Sequence, residues 1–92
     1  DMDEVRIEFK GNKSVAFMGN SEIGVCEFNV LDGKWVIVHT EVNSNYRGRG
    51  IAKKLLDRVV IEARNRNIKI IPKCEYAIKV MIGKNEYSDV IE

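Results

Sequence analysis

Asn45-Tyr46-Arg47-Gly48-Arg49-Gly50-Ile51-Ala52 is the stretch on which the fold of this chain turns. It follows an apolar, strand-like segment, Trp35-Val36-Ile37-Val38-His39, and opens an amphipathic helix. Glycines at a strand-to-helix turn let the backbone approach a ligand closely and aim several N–H groups at one point. The helix start adds the positive end of its dipole. Arg47, Arg49, Lys53 and Lys54 surround the turn with charge. The combination points to a phosphate site. Its spacing is not that of the common nucleotide loops, because no Lys-Ser or Lys-Thr follows and no acidic residue stands about twenty positions on to hold a ribose.

Upstream, Val5, Ile7 and Phe9 alternate with Arg6, Glu8 and Lys10, which predicts a strand with one wet face. Gly11-Asn12 offers a hairpin turn, and a second strand carries Val15 and Phe17 to Gly19-Asn20-Ser21. The third runs from about Ile23 to Leu31. Its apolar parity shifts from Ile23/Val25 to Cys26/Phe28/Val30, which predicts a bulge near Val25. Asp32-Gly33 is a tight-turn signal, and a fourth strand follows from Lys34 to about Thr40.

Downstream the period changes. Ala52, Leu55, Leu56, Val59, Val60 and Ala63 recur at helical spacing, and Asn65 and Asn67 can end that helix in a left-handed conformation. Ile68–Ile71 reads as a short fifth strand stopped by Pro72, and Cys74–Lys84 as a second helix ending at Gly83 or just beyond. A strand–helix–strand crossover makes the fourth and fifth strands parallel. The expected class is α/β (α+β), with a four-stranded antiparallel meander, a crossover helix, a parallel fifth strand and a C-terminal helix. One domain accounts for residues 1–92.

Composition bounds the function. The chain has 92 residues, 45% of them hydrophobic and 32% charged, which suits a globular domain rather than a disordered one. A formal charge of +1 supplies no global field for nucleic acid or a membrane surface. The charge is uneven: Tyr46–Arg58 holds five basic residues against one acidic, Asp57. Cys26 and Cys74 lack metal-ligand spacing and read as reduced thiols, although sequence alone leaves a disulfide open. No apolar run approaches membrane-spanning length. Asp1 ahead of Met2 reads as a processed or an engineered N-terminus, and a cytoplasmic location is the expectation.

The glycine turn resembles the acetyl-CoA pyrophosphate loop of the Gcn5-related N-acetyltransferases, with its pattern Gln/Arg-x-x-Gly-x-Gly/Ala. Asn45 departs from the long side chain at the first position, while Gly48 and Gly50 match. The succession His39-Thr40-Glu41-Val42, Tyr46–Ala52, Ala63-Arg64 and Ile71-Pro72-Lys73-Cys74-Glu75-Tyr76-Ala77 is similar to a small, single-domain, cysteine-containing branch of that superfamily. The resemblance implies acetyl-CoA or coenzyme A as cofactor and an amine as acceptor. It also implies that the fourth and fifth strands splay apart to admit the pantetheine arm. Cofactor contacts are then expected from Thr40, Val42, Tyr46, Arg47, Gly48, Arg49, Gly50, Ile51, Ala52 and Lys53. The N-terminal helices and C-terminal strands that shape the acceptor site in full-size members have little sequence here.

Two residues are the catalytic candidates. Cys74 follows Pro72 at the start of a helix, an electropositive setting of the kind reactive thiols use, and in the related family the matching cysteine lies beside the thioester. His39, the only histidine, carries an imidazole that can accept a proton at one nitrogen while donating from the other. Glu41 is a further base candidate, Tyr76 and Tyr87 are possible acids for the departing thiolate, and Cys26 reads as core. Two other classes share parts of this pattern. A CoA-binding module without turnover would keep the loop, and a binder of acidic partners would use the Arg47–Arg58 patch and lose affinity steeply with salt. The near-zero net charge and the lack of an aromatic platform on the basic stretch weigh against nucleic acid.

Overall fold

The computed structural model describes residues 4–92, so the reading of Asp1-Met2 lies outside the described residues. Strands β1 (Val5–Lys10), β2 (Lys13–Met18), β3 (Ser21–Leu31) and β4 (Lys34–Val42) pair antiparallel in sequence order. Helix α1 (Ile51–Asn65) then crosses back, and β5 (Ile70–Pro72) adds to β4 in parallel. Helix α2 (Glu75–Met81) follows, and Asn85–Tyr87 forms a single 3-10 turn. The α+β architecture expected from the two periodicities is the one observed.

Local chemistry explains the boundaries. Asp32 takes a positive φ of 51° in the β3–β4 turn, and Asn67 takes 59° just past α1. Asparagine and aspartate tolerate the left-handed region better than other side chains. Ile68 donates its N–H to the Ala63 carbonyl at 2.9 Å, so it closes the helix instead of starting the strand. The fifth strand is therefore shorter than Ile68–Ile71 and shifted onto Pro72. Helix α2 ends at Met81, two residues before Gly83, because Ile82 already has extended backbone (φ −68°, ψ 128°).

The bulge expected near Val25 lies at Ile23, where the β2–β3 register passes from Ala16–Gly24 to Phe17–Glu22. A second irregularity sits in β4. Glu27 pairs with His39 and Phe28 with Ile37, which leaves Val38 as the extra residue. This one decides the site. The β4–β5 ladder runs through Trp35–Ile70, Val36–Ile71 and Ile37–Pro72 and goes no further. The Ile37 carbonyl accepts from both Lys73 and Cys74 N–H at 3.0 Å, which caps the ladder. From Val38 onward β4 pairs only with β3, and its other backbone edge is left without a strand partner. An open edge beside a helix start is a place for an extended ligand.

Both helices pack on one face of the sheet. Ile51, Leu55, Leu56, Val59, Val60 and Ala63 of α1 share a buried cluster with Ala16, Cys26, Phe28, Ile37 and Ile70, and with Ala77 and Met81 of α2. Buried Ser14 ties β2 to α1 by donating to the Leu55 carbonyl at 2.6 Å. The C-terminal residues join this core through Tyr87 and Val90, and Ile91 bridges to Ile70 on the outer edge of β5. The opposite sheet face buries only a thin strip, Val15, Phe17 and Val36, partly beneath Arg6 and Lys10, which lie 4.8 and 5.4 Å from the Phe17 ring centre.

Candidate cofactor groove and acyl-transfer site

The turn between β4 and α1 builds the first half of the site. Gly48 and Gly50 have φ of 78° and 80°, the left-handed region that costs other L-residues about 1–2 kcal/mol. Gly50 is the N-cap of α1 and supplies no side-chain cap, and the first turn carries no acidic residue. The first intrahelical bond runs from Lys54 N–H to the Gly50 carbonyl. The N–H groups of Ile51, Ala52 and Lys53 precede it, so the positive helix end faces outward uncompensated. Free N–H groups and an uncompensated dipole end are the elements from which anion sites at helix starts are built.

Those groups open onto a groove of about 240 Å³. Its walls come from Val42 at the end of β4, from Tyr46, Arg47, Gly48 and Gly50 of the turn, from Ile51, Ala52 and Lys53 of α1, and from Tyr76 of α2. Arg47 is braced across it, its Nε donating to the Val42 carbonyl at 3.1 Å. Arg49 does not line the groove. Its guanidinium lies 5.3 Å from the centre of the Tyr46 ring and donates to the Asn45 carbonyl at 3.5 Å, on the exposed rim. Tyr76 reaches this wall only through the packing of α2, which sequence spacing does not reveal. Burial raises its pKa and keeps its hydroxyl protonated.

Thr40 belongs to a second cluster at the β4–β5 divergence. Its Oγ1 donates toward Cys26 Sγ at 3.6 Å and lies 3.5 Å from Cys74 Sγ. Cys74 is the N-cap of α2, and its sulfur accepts the Ala77 N–H at 3.4 Å. Cys26 is fully buried, and burial pushes its pKa up to about 11. Both thiols are free. Cys74 is half-buried at the end of the open β4 edge, and Cys26 is sealed beneath it.

His39 stands elsewhere. Successive residues of a strand point to opposite faces. Thr40 faces the helices, so His39 and Glu41 face away from them, exposed, with His39 Nε2 3.1 Å from Glu41 Oε1. The two catalytic candidates are therefore not joined into one pair: Cys74 sits on the helix side of the divergence and His39 on the bare side. Glu41 also borders a hollow of about 260 Å³ with Glu22, Ile23, Gly24, Val25 and Asn43.

Tyr87 is removed from the acid candidates. Its hydroxyl is buried and donates to Asp57 Oδ1 at 2.6 Å, and burial together with that bond pushes its pKa up to about 12. Among the described residues no group of His, Cys, Asp or Glu is arranged to hold a metal ion, and no helix is long and apolar enough to cross a membrane.

Residues 8–90 match the protein family described as GCN5-related N-acetyl-transferase. No curated protein matches the chain. Among solved structures, a GCN5-like protein from Staphylococcus aureus is 31% identical over 99% of this chain and 91% of its own, with a TM-score of 0.77. A predicted acetyltransferase from Clostridium acetobutylicum, in a crystal structure with acetyl-CoA, is 26% identical over 80% of this chain and 59% of its own, with a TM-score of 0.61. A GNAT family acetyltransferase from Elizabethkingia anophelis with acetyl-CoA bound shares the fold at 20% identity, over 77% of this chain and 44% of its own, with a TM-score of 0.58. The chain thus spans nearly all of the first of these proteins and about half of the two larger ones. A family match over almost the whole length and the same fold make this chain a member of the GCN5-related N-acetyltransferase family.

Proposed function

We propose that the protein binds acetyl-CoA in the β4–α1 groove and transfers the acetyl group to an amine. The observation that carries this is the continuity of an uncompensated helix start, a groove and an open strand edge that ends at a thiol. Phosphates occupy the N–H groups of Ile51–Lys53, with Arg47 and Lys53 as cationic walls. The pantetheine arm lies along Thr40–Val42, where β4 has no strand partner on this edge, and its thioester reaches the divergence beside Cys74.

Transfer then proceeds in two balanced steps. Cys74 attacks the thioester carbonyl, its proton goes to the departing CoA sulfur, and the acetyl group is held as a Cys74 thioester. Exchange between two thioesters is nearly neutral in energy, and a covalent intermediate divides the reaction into easier parts. A neutral amine arriving from the bare face attacks that carbonyl through the divergence, and the Cys74 sulfur leaves. Glu41 accepts the His39 Nε2–H, which leaves the Nδ1 lone pair to take the amine proton. The Cys74 thiolate released in this second step takes up a proton from solvent and His39 gives its proton back to solvent, which restores both groups.

The test is intact mass after incubation with acetyl-CoA. One acetyl adduct, absent in Cys74→Ala, supports the relay. An adduct that survives in Cys74→Ala overturns the role of Cys74, and failure to acetylate any amine in an acceptor screen overturns the transferase.

A further inference from the structure

Lys53 is the one basic side chain of the groove wall that the C-terminal turn also touches. Its Nζ donates to Asp57 Oδ2 at 2.9 Å and to Glu86 Oε2 at 3.3 Å, and it lies 5.6 Å from the centre of the Tyr87 ring. Asp57 does not float. Its other oxygen, Oδ1, accepts the Tyr87 hydroxyl at 2.6 Å. Tyr87 is 1% exposed and packs in the main core, so a group fixed by the fold fixes the carboxylate, and the carboxylate fixes the ammonium. The sequence distance from Lys53 to Tyr87 spans β5 and α2, which makes this a tertiary device rather than a helical accident.

We infer that Tyr87 and Asp57 are positioning residues for the cofactor, acting through Lys53 to hold its ammonium at the groove wall. This rests on the groove being the acetyl-CoA site. An ammonium has three N–H donors. Two are taken by Asp57 and Glu86, and the Lys53 side chain they hold forms part of the groove wall. A free lysine loses rotamer entropy when it binds an anion, whereas here most of that freedom is already lost on folding. The Tyr87 phenol and the Asp57 carboxylate raise the Lys53 pKa, so the group stays cationic throughout the working range. Tyr87 itself stays protonated and remains a donor. The C-terminal turn thereby reaches the cofactor without touching it.

The experiment is a double-mutant cycle on CoA affinity, read by isothermal titration of the full chain. Tyr87→Phe keeps the ring and removes the hydroxyl; it should raise the Kd for CoA about threefold to tenfold. Asp57→Asn should act in the same direction and serves if Tyr87→Phe folds poorly. In the Lys53→Met background, neither change should weaken CoA further, since the residue they position is gone. A Tyr87→Phe effect that persists in full in Lys53→Met would show a merely structural role and overturn the inference. So would unchanged affinity in both Tyr87→Phe and Asp57→Asn. Absence of CoA binding by the unaltered protein would instead overturn the groove assignment itself, and the inference with it.

Discussion

Thr40 Oγ1 lies 3.5 Å from Cys74 Sγ, across the point where β4 and β5 part. The same hydroxyl is 3.6 Å from Cys26 Sγ on the neighbouring strand. One threonine therefore separates an accessible thiol at the open edge from a sealed one in the core. The separation has a chemical consequence. Cys74 should react with a thiol-specific reagent in the folded protein, and Cys26 only in denaturant. Counting labelled thiols by mass before and after unfolding checks this, and two thiols reacting together in the native state would contradict it. Saturating CoA should slow the Cys74 reaction.

Gly24 tests the packing of α1 on the sheet. A Cβ there would sit 3.0 Å from Leu55 Cδ1 and 3.1 Å from the Glu41 carbonyl oxygen. Leu55 can yield, but a strand carbonyl cannot move without its ladder. Gly24→Ala should cost about 1–3 kcal/mol in urea unfolding, as overpacking does.

Gly50 predicts a different kind of loss. A Cβ at this position would meet nothing within 4 Å, so Gly50→Ala carries left-handed strain but no clash. The expected cost is about 1–2 kcal/mol of stability. CoA affinity should fall as well, because a relaxed turn withdraws the N–H groups at the helix start. Unfolding and titration of the same variant separate the two effects.

Stability should fall at both ends of the pH range, for different groups. Arg66 first, then Arg58, hold Glu62 below its ordinary 4.5. A carboxylate depressed in the folded state contributes stability above its ordinary value, and this is lost as pH falls through the folded one. Glu62→Gln should therefore flatten the acid limb of the unfolding profile. At the alkaline end the sign reverses. Burial raises Cys26 from 9.0 to about 11, so its contribution is intact below 9.0 and disappears as pH rises toward 11. Cys26→Ala should lower stability overall yet shrink that alkaline slope. The Tyr87 hydroxyl extends the loss from 10.0 toward about 12.

Much of this was legible in the chain because it is local. Asp32-Gly33, Asn67 and the 3.6-residue stripe of α1 set three element ends by their own chemistry. The groove walls from Tyr46 to Lys53 are contiguous in sequence, and so is the Lys53–Asp57 pair at i, i+4. The bulge at Val38 was not legible, since Val36-Ile37-Val38 reads as an unbroken buried strand whichever residue is unpaired. Ile68 looked like strand because it is β-branched, but its N–H closes a helix. The opposite facing of His39 and Thr40 follows from alternation alone, yet its meaning depends on Cys74 arriving from another element. That the Tyr87 hydroxyl is spent on Asp57 is not legible in the chain, because the two lie thirty residues apart.

The most direct test of the central claim is amide chemical-shift mapping of the isotope-labelled protein titrated with acetyl-CoA. Binding in the groove predicts saturable shifts at Gly48, Gly50 and Ile51–Lys53, continuing along Thr40–Val42 to Cys74. Shifts confined to the bare sheet face or the β1–β2 hairpin, or none that saturate, would contradict the account.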